Sequence, residues 1–383
     1  MMLEQYFPLG LAEGEAFIGR KQEITRLNSN IQHGYHTLLL SPRRYGKTSL
    51  AKKVITAGHY PWVEVDFFIV QNELSIEQKI LKGVQSILDQ IDAPERWINP
   101  LVKFFRHASK TWSVSIKGVK LEITPEHHKD IPGNILEALN ALEHILAKTN
   151  QRVVLFLDEF QEIAKLANST AIEGAIRHFA QASKHVVFIF SGSSRHMLKH
   201  MFDDESRPLY ALCKEINLDR LPAEDYQEYL NKIAHKTWGV DLSTDTFNKI
   251  MELTTCHPRY VYSLCMYLWD YKETSSQGPH AVDVLTVWNM IMTERMKDFR
   301  EILLKRSPGQ IRILSLLAIE EDRQQLSGQQ SQSKLTLSSS AIVQALKILE
   351  QDDYIERLET GGYRIIDPML KATLVHYDAD YFI

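Results

Sequence analysis

The segment LSPRRYGKTSL (residues 40–50) most constrains the fold of this chain, because it lies between an apolar run and a helical pattern. The run before it, Thr37–Leu40, predicts a buried strand, and Ser49–Ala57 after it predicts a helix. A loop in that context presents backbone amides and a helix N-terminus to an anion. It matches the phosphate-binding pattern G-x-x-x-x-G-K-[ST] at every defined position except the first, where Ser41 replaces glycine.

That first position tolerates serine because of the residue that follows it. Pro42 pushes Ser41 into the extended region with negative φ, so the conformational freedom of glycine is not needed there. Gly46 is retained where the amides must wrap a β-phosphate. Lys47 can then reach the β- and γ-phosphates, and the Thr48 hydroxyl can bind Mg²⁺. We therefore expect phosphate contacts from Ser41, Pro42, Arg43, Arg44, Tyr45, Gly46, Lys47, Thr48 and Ser49.

A second motif, VVLFLDEFQEI at Val153–Ile163, is an apolar strand that ends in two carboxylates. Asp158 at the strand end can hold Mg²⁺ through its water shell, and Glu159 can polarise an attacking water. The alternative is that Asp158 caps a helix and Glu159 is only solvated. Because both motifs lie on the secondary structure that the chemistry requires, we favour a Mg²⁺-dependent nucleotide site.

A third segment, HVVFIFSGSSRHML, is a strand followed by serines. Ser191 and Ser193 could hydrogen-bond a γ-phosphate or the attacking water. Serines after a strand also commonly cap the next helix, and the sequence leaves these two roles open.

The order of elements predicts an α/β domain. Five short aliphatic runs predict strands covered on both faces, as in a parallel sheet, and helical patterns alternate with them. This alternation predicts a three-layer core with right-handed crossovers. The alternating segment WSVSIKGVKLEI, around Gly118, predicts an added hairpin. The predicted strands are Thr37–Leu40, Trp62–Phe68, Val153–Leu157, Val186–Phe190 and Glu215–Leu218, and the predicted helices between them are Ser49–Ala57, Ile76–Ile91, Ile135–Lys148 and Ile172–Ala182.

After Leu218 the pattern becomes helical. Ser307-Pro308-Gly309 interrupts it and marks a domain boundary. The predicted helices before this boundary are Ala223–Thr237, Thr244–Thr255, Arg259–Lys272 and about Ala281 to Lys305; those after it are Gln310–Ile319 and Ser339–Gln351. YIERLETGGYRII predicts two final strands, so the C-terminal order is that of a winged helix. The polar stretch Gln324–Lys334 could be its second helix or a linker. We predict a P-loop core (1–220), a helical lid (221–306) and a winged helix (307–383).

Composition narrows the function classes. The net charge of −4 offers no general attraction to nucleic acid or anionic membranes, and no apolar run approaches the roughly 18 residues of a membrane-spanning helix. Three cysteines without metal-ligand spacing fit a reducing cytoplasm, so we expect a cytoplasmic protein. His127 and His128 lie in a polar stretch without partner ligands, which favours a solvated loop over a metal site.

Taken together, these motifs resemble those of archaeal-type ATPases in the STAND branch of AAA+-related P-loop NTPases, and the resemblance covers nearly the whole chain. It rests on the three motifs above and on FIGRKQEITRLNSNI (residues 17–31), RPLY (207–210) and CHPRYV (256–261). The resemblance implies that Ile18, Gly19 and Arg20 pack beside the adenine and that Pro258 closes over the base. It also implies ATP or ADP with Mg²⁺ as cofactors. Locally, a turn at Gly19 and a helix start at Pro258 explain these residues equally well.

Departures from the family pattern predict slow catalysis. Cys256 replaces the usual glycine of the lid motif, and Ala211-Leu212 follows RPLY where Gly-Arg is common. An arginine that would contact the γ-phosphate is therefore missing. Arg207 or an arginine from another subunit would have to replace it, and nucleotide binding is better supported than rapid hydrolysis.

Three functions are compatible with these motifs. The first is a slowly hydrolysing ATPase that acts as a conformational switch with a protein partner or by self-association. The second is a DNA-binding regulator or initiator, but residues 307–383 contain 7 Lys+Arg and 11 Asp+Glu (7 − 11 = −4), which argues against a phosphate-binding surface. On its presumed recognition helix we expect Ile342, Val343 and Leu346 in the core and Lys347 exposed. The third, a small-molecule kinase, would need an acceptor pocket that no motif indicates.

Overall fold

The computed structural model describes residues 3–91, 94, 130–320, 326, 328–358 and 361–377, together with the backbone of 114–116 and 119–121. The expected loop at His127 and His128 lies outside the described residues. Within the described residues the chain forms two compact units. One comprises Arg20–Ser41 and Lys47–Leu218, and the other comprises Met1–Gly19, Pro42–Gly46 and Asp219–Ile383.

A five-stranded parallel sheet forms the centre of the first unit, which confirms the predicted fold class. Its strands lie in the order β2-β5-β6-β1-β7. The central strands are buried along nearly their whole length, which is why they are continuous apolar runs rather than alternating ones. The strands are β1 (Thr37–Leu40), β2 (Trp62–Asp66), β5 (Val153–Asp158), β6 (Val186–Ser191) and β7 (Lys214–Asn217); β3 (Val114–Ile116) and β4 (Val119–Leu121) form the predicted antiparallel hairpin apart from this sheet.

Helices pack against the sheet through an aliphatic and phenylalanine core. Local signals set their ends: the Asn72 side chain accepts from Ser75 N and makes a capping box, and Asp130 caps the helix that contains Pro132. These helices are α1 (Lys21–His33), α2 (Lys47–Ala57), α3 (Glu73–Gln90), α4 (Ile131–Thr149), α5 (Ser169–Ala182) and α6 (Arg195–Asp203). Of these, α1 and α6 are absent from the predicted set.

The second unit is mainly helical and has one continuous hydrophobic core. That core extends from Leu221 to Leu374 and includes Tyr6 and Phe7 from the N-terminal segment. Residues on both sides of position 306 therefore belong to one hydrophobic core. The domain boundaries predicted from the sequence stay predictions. The helices are α7 (Ala223–Trp238), α8 (Thr244–Thr254), α9 (Pro258–Tyr271), α10 (Ala281–Leu303), α11 (Pro308–Ile319), α12 (Gln329–Leu335), α13 (Ser339–Gln351) and α14 (Pro368–His376).

The C-terminal region has the predicted order of helix, helix, helix and hairpin, with α14 added. Strands β8 (Ile355–Arg357) and β9 (Tyr363–Ile365) pair antiparallel, and the polar stretch contributes α12 as its helical part. Ser307 caps α11 with Pro308 as its first residue, so the predicted break is a helix start. The expectation that Val343 lies in the core is wrong, because its side chain is 56% exposed while Ile342 and Leu346 fill the inward face of α13. Across the described residues, no helix combines the length and apolarity needed to cross a membrane.

Candidate functional site

The base of the phosphate-binding loop, Ser41 and Lys47–Ser49, is closed by a lysine. Lys47 Nζ donates to the Ser41 carbonyl at 3.0 Å and lies 3.2 Å from Ser41 Oγ. Ser41 does not have a positive φ, as its position before Pro42 predicts, whereas Gly46 has φ +92°. The serine that replaces glycine thus contributes acceptor atoms for the lysine that is expected to contact phosphate.

Asp158 lies in the middle of a hydrogen-bond network at the end of β5. Thr48 Oγ1 donates to Asp158 Oδ2 at 3.0 Å, Glu159 N donates to Oδ1 at 3.0 Å, and Ser191 Oγ also donates to Oδ1. The register of β5 and β6 explains the serine contact, because Leu157 pairs with Phe190 and the next residues along the two parallel strands are Asp158 and Ser191. The network brings the predicted loop and strand motifs together.

Glu159 has a left-handed backbone and a firmly held side chain. Its φ is +51°, which is uncommon for a residue other than glycine. Its Oε2 accepts from Ser193 Oγ at 2.7 Å, from Ser193 N at 3.3 Å and from Gln161 Nε2 at 2.6 Å. Gln161 was not among the predicted site residues; its position two residues after Glu159 in the same motif was the available signal.

Ser191 and Ser193 make contacts that neither sequence alternative described, and their expected role at a γ-phosphate or an attacking water stays a prediction. The N-cap of α6 is Ser194, and its side chain makes no capping hydrogen bond. Instead, Ser191 donates to Asp158 and Ser193 donates to Glu159. The two serines therefore orient the adjacent carboxylates.

The tip of the loop, Pro42–Gly46, contacts other residues of its own unit. The Tyr45 hydroxyl accepts from Arg220 Nε at 3.2 Å, and the Tyr45 ring lies edge-on to the His257 ring with centroids 4.9 Å apart. Arg220 also donates to the Thr255 carbonyl at 3.0 Å and to the Ile366 carbonyl at 2.9 Å. Arg220 thus joins the loop tip, the turn before α9 and the end of β9.

The loop tip lies in a positively charged environment. His257 is 3% exposed and its Nδ1 has no hydrogen-bond partner. Burial, followed by the charges of Arg220, Arg44 and Arg259, lowers the pKa of His257 to about 3. Burial, followed by the charge of Arg44, also lowers the pKa of Arg259. The imidazole is therefore neutral, and positive charge accumulates around it.

Arg44 and Arg259 lack anionic partners in the part of the chain that the structure describes. No hydrogen bond or salt bridge to a carboxylate holds either guanidinium there, and the charge of Arg44 contributes to the lowered pKa of Arg259. Arg44 is exposed and has φ +67°, and its neighbour Arg43 is also exposed. Sequence reasoning missed Arg259; the signal was a basic residue directly after His257-Pro258.

The residues expected beside the adenine have conformations and contacts that neighbouring residues explain. Ile18 packs against the core of its unit, and Gly19 has φ +62° with no room for a Cβ, which would meet Asp225 and Leu221. Arg20 begins α1 and pairs with Glu23 at 3.0 Å.

Pro258 is the first residue of α9, which agrees with the local explanation of that residue. Its expected closure over the base stays a prediction.

Arg207 makes a buried ion pair with Glu173 of α5. The Glu173 side chain is fully buried, and burial, opposed by Arg207, raises its pKa to about 7. Arg207 Nε and Glu173 Oε2 have no further partner. The predicted role of Arg207 at a γ-phosphate is therefore in competition with this ion pair.

The donor atoms at the loop base suit Mg²⁺. Thr48 Oγ1 and Asp158 Oδ2 are hard oxygen ligands in direct contact, and Mg²⁺ typically takes one or two such protein ligands together with substrate phosphates and water. Clusters of three or more His, Cys, Asp or Glu side chains suited to a metal are absent from the described ranges.

Comparison with known proteins supports the archaeal-type ATPase class that the sequence motifs resemble. The profile of a family described as an ATPase domain predominantly from Archaea matches residues 17–264. A Walker-type ATPase of Pyrococcus abyssi has a similar fold, with a TM-score of 0.66 and 17% identity over 97% of this chain and 99% of its own. The Aeropyrum pernix ORC2 protein, solved as ADPNP–ADP complexes, has a TM-score of 0.56 and 14% identity over 99% of this chain and 97% of its own. No curated protein shows significant sequence similarity.

Proposed function

The chain belongs to the family of ATPase domains found predominantly in Archaea, and from that premise we propose that it binds ATP or ADP with Mg²⁺ and hydrolyses ATP slowly. The observation that carries this proposal is the network in which the Thr48 hydroxyl contacts Asp158 and Glu159 follows directly. A hydroxyl and a carboxylate suited to Mg²⁺ then lie next to a second carboxylate that can act as a base.

In the proposed reaction, loop amides and Lys47 bind the β- and γ-phosphates. Mg²⁺, held by Thr48 and Asp158, would neutralise charge that develops on the phosphate oxygens. Glu159 accepts a proton from water as the water oxygen bonds to the γ-phosphorus. The bond to the β,γ-bridging oxygen breaks, its electron pair leaves with ADP, and phosphate is the second product.

The ion pair between Arg207 and Glu173 supports slow turnover. Arg207 is engaged by Glu173, so placing it at the γ-phosphate would leave a buried carboxylate without its cation. Arg44 and Arg259 are better candidates to balance the charge of the phosphates, because no carboxylate of the described chain neutralises them. We propose that they strengthen binding, and that rapid hydrolysis needs a further cation from a partner or a second copy.

The contacts of Arg220 support a switch role. Through this residue the loop-tip residue Tyr45 is connected to Thr255 and to Ile366. Phosphate binding at the loop would therefore bias the position of the C-terminal hairpin. The acidic balance of residues 307–383 favours a protein partner or self-association over duplex DNA, and three free thiols are consistent with the reducing cytoplasm.

Lys47→Ala tests nucleotide binding, with Lys52→Ala as a matched control. Lys52 is on the same helix but pairs with Glu64 at 2.8 Å. We expect isothermal titration calorimetry to give ATP·Mg²⁺ affinity at least about tenfold weaker for Lys47→Ala, because a charge-assisted contact to phosphate is lost. The control should remain within about twofold of the unsubstituted protein. Equal affinity in the two variants would contradict the site.

A further inference from the structure

The two carboxylate oxygens of Glu159 have different environments. Ser193 Oγ, Ser193 N and Gln161 Nε2 all donate to Oε2. Within the described chain no donor is directed at Oε1. Since Glu159 is only half-buried, Oε1 is the oxygen that remains available to a water molecule.

Gln161 is built into this arrangement rather than resting on the surface. Its side chain is 1% exposed, and its amide nitrogen also lies 3.4 Å from Ser193 Oγ. A Cβ at Gly192 would collide with the Gln161 amide oxygen, so the glycine between the two serines leaves room for this amide. The amide oxygen has no hydrogen-bond partner. Burying an amide oxygen without a partner costs free energy, and such atoms are rare in proteins. We therefore attribute the burial of this side chain to the hydrogen bonds of its amide nitrogen.

The backbone at Glu159 makes such a clamp necessary. A left-handed conformation at a residue with a Cβ is strained and is maintained only by its surroundings. A half-buried glutamate side chain would otherwise sample several rotamers. Three donors on one oxygen restrict the carboxylate to one orientation and thereby determine which oxygen meets the water.

We propose that Gln161 and Ser193 are positioning residues that hold Glu159 Oε2 and present Oε1 as the base for ATP hydrolysis, an inference that rests on the proposed function. Oε1 takes the proton from the water whose oxygen attacks the γ-phosphorus. Misorientation of a catalytic group by about 1 Å can lower a rate by about a hundredfold. The opposite possibility is that the three hydrogen bonds sequester Glu159 and suppress hydrolysis, and it predicts the opposite sign.

The test uses the full chain with Gln161→Leu, which keeps the size of the side chain but removes the donor, and Ser193→Ala. The control is Lys52→Ala, because Lys52 pairs with Glu64 and not with Glu159, Gln161 or Ser193. We expect kcat to fall at least about tenfold in each positioning variant, while the ATP dissociation constant stays within about twofold, since Glu159 acts only in the transition state. Ser193→Thr, which keeps the hydroxyl, should recover most of the rate.

A second readout separates positioning from a general structural effect. In a Glu159→Gln background, adding Gln161→Leu should lower the single-turnover rate no further, because the group that it positions has already lost its basicity. Thermal unfolding identifies any variant that fails to fold, and Ser193→Ala then carries the test. A rise in kcat, an unchanged kcat, or a further loss in the Glu159→Gln background would overturn the positioning role. ATP binding without turnover by the unsubstituted chain would overturn the proposed hydrolysis and this inference with it, whereas absence of ATP binding would overturn the proposed nucleotide site itself.

Discussion

The base and the tip of the phosphate-binding loop differ in how well their polar groups are satisfied. At the base, Lys47 is held by Ser41, and Asp158 accepts hydrogen bonds from Thr48 and Ser191. At the tip, a buried imidazole nitrogen of His257 has no partner, and the guanidinium of Arg259 lies in the field of other arginines. At the base, the lysine and the carboxylate are each held by hydrogen bonds to neighbouring groups, whereas the tip is an accumulation of positive charge.

This difference indicates that the base and the tip favour an anionic ligand in two different ways. A network of hydrogen bonds fixes the geometry of catalytic groups before the ligand arrives. Uncompensated cations instead destabilise the protein without ligand and favour binding of an anion, because the ligand relieves their repulsion. Substitutions should therefore affect the free energy of unfolding and the affinity for ATP differently in the two places.

The largest effect is expected at Arg220. Unlike the other cations at the tip, this residue makes several hydrogen bonds. Arg220→Met keeps much of the side-chain length but removes the hydrogen bonds to Tyr45, Thr255 and Ile366. Hydrogen bonds from a charged group contribute about 1.5–3 kcal/mol each, with partial exposure reducing their sum, so we expect a loss of about 3 kcal/mol in unfolding free energy. Urea denaturation measures it.

The control for Arg220→Met is Arg26→Met, which removes one exposed hydrogen bond to the Glu215 carbonyl. Its unfolding free energy should change by less than about 1 kcal/mol. Similar losses in the two variants would mean that Arg220 does not connect the loop tip to the C-terminal hairpin.

The pH dependence of stability should reveal His257. Its pKa is about 3 in the folded protein against an ordinary value of 6.5, so below pH 6.5 the unfolded chain binds a proton that the folded chain does not. Stability from this group is therefore lost as the pH falls. Between pH 7 and pH 5 the unfolding free energy of the unsubstituted protein should fall by about 2 kcal/mol relative to His257→Phe.

Urea denaturation at pH 7 and pH 5 checks this expectation. The control is His235→Phe, because His235 is exposed. That control should retain the pH dependence of the unsubstituted protein. A pH dependence in His257→Phe that matched the unsubstituted protein would show that the loop tip does not keep this imidazole neutral.

The smallest effect, and the most direct test of the comparison, concerns the unpaired arginines. Arg259→Ala and Arg44→Ala should each weaken ATP binding about tenfold, equivalent to about 1.4 kcal/mol, without lowering the melting temperature of the nucleotide-free protein. Ser191→Ala at the base should lower that melting temperature, because Asp158 loses a donor. Calorimetry and thermal unfolding give both quantities.

Arg312→Ala, on the exposed face of α11, is the charge control and should leave ATP affinity unchanged. If Arg259→Ala lowered the melting temperature as much as Ser191→Ala and left affinity intact, the distinction between a prepared base and an uncompensated tip would be lost.

Much of the fold was predictable because local patterns determine it. The runs Val153–Leu157 and Val186–Phe190 are apolar throughout, and burial on both faces requires that pattern whatever their neighbours are. The phosphate loop and the carboxylates at Asp158 and Glu159 were recognisable for a similar reason, since their chemistry depends on close spacing in the chain. Helices α1, α6 and α14 were missed, because two of them are only nine residues long and α1 is mostly polar.

The sequence by itself therefore determined the α/β class and the residues that form the loop base. Only the tertiary structure decided their partners: the register of β5 and β6 gives Ser191 to Asp158, and Arg207 pairs with Glu173 from another helix. The same holds for Arg220, whose acceptors are as far away in sequence as Tyr45 and Ile366. Hydrophobic periodicity is a local property that one segment can display alone, whereas the choice of a hydrogen-bond partner depends on which distant segments the fold brings within about 3 Å.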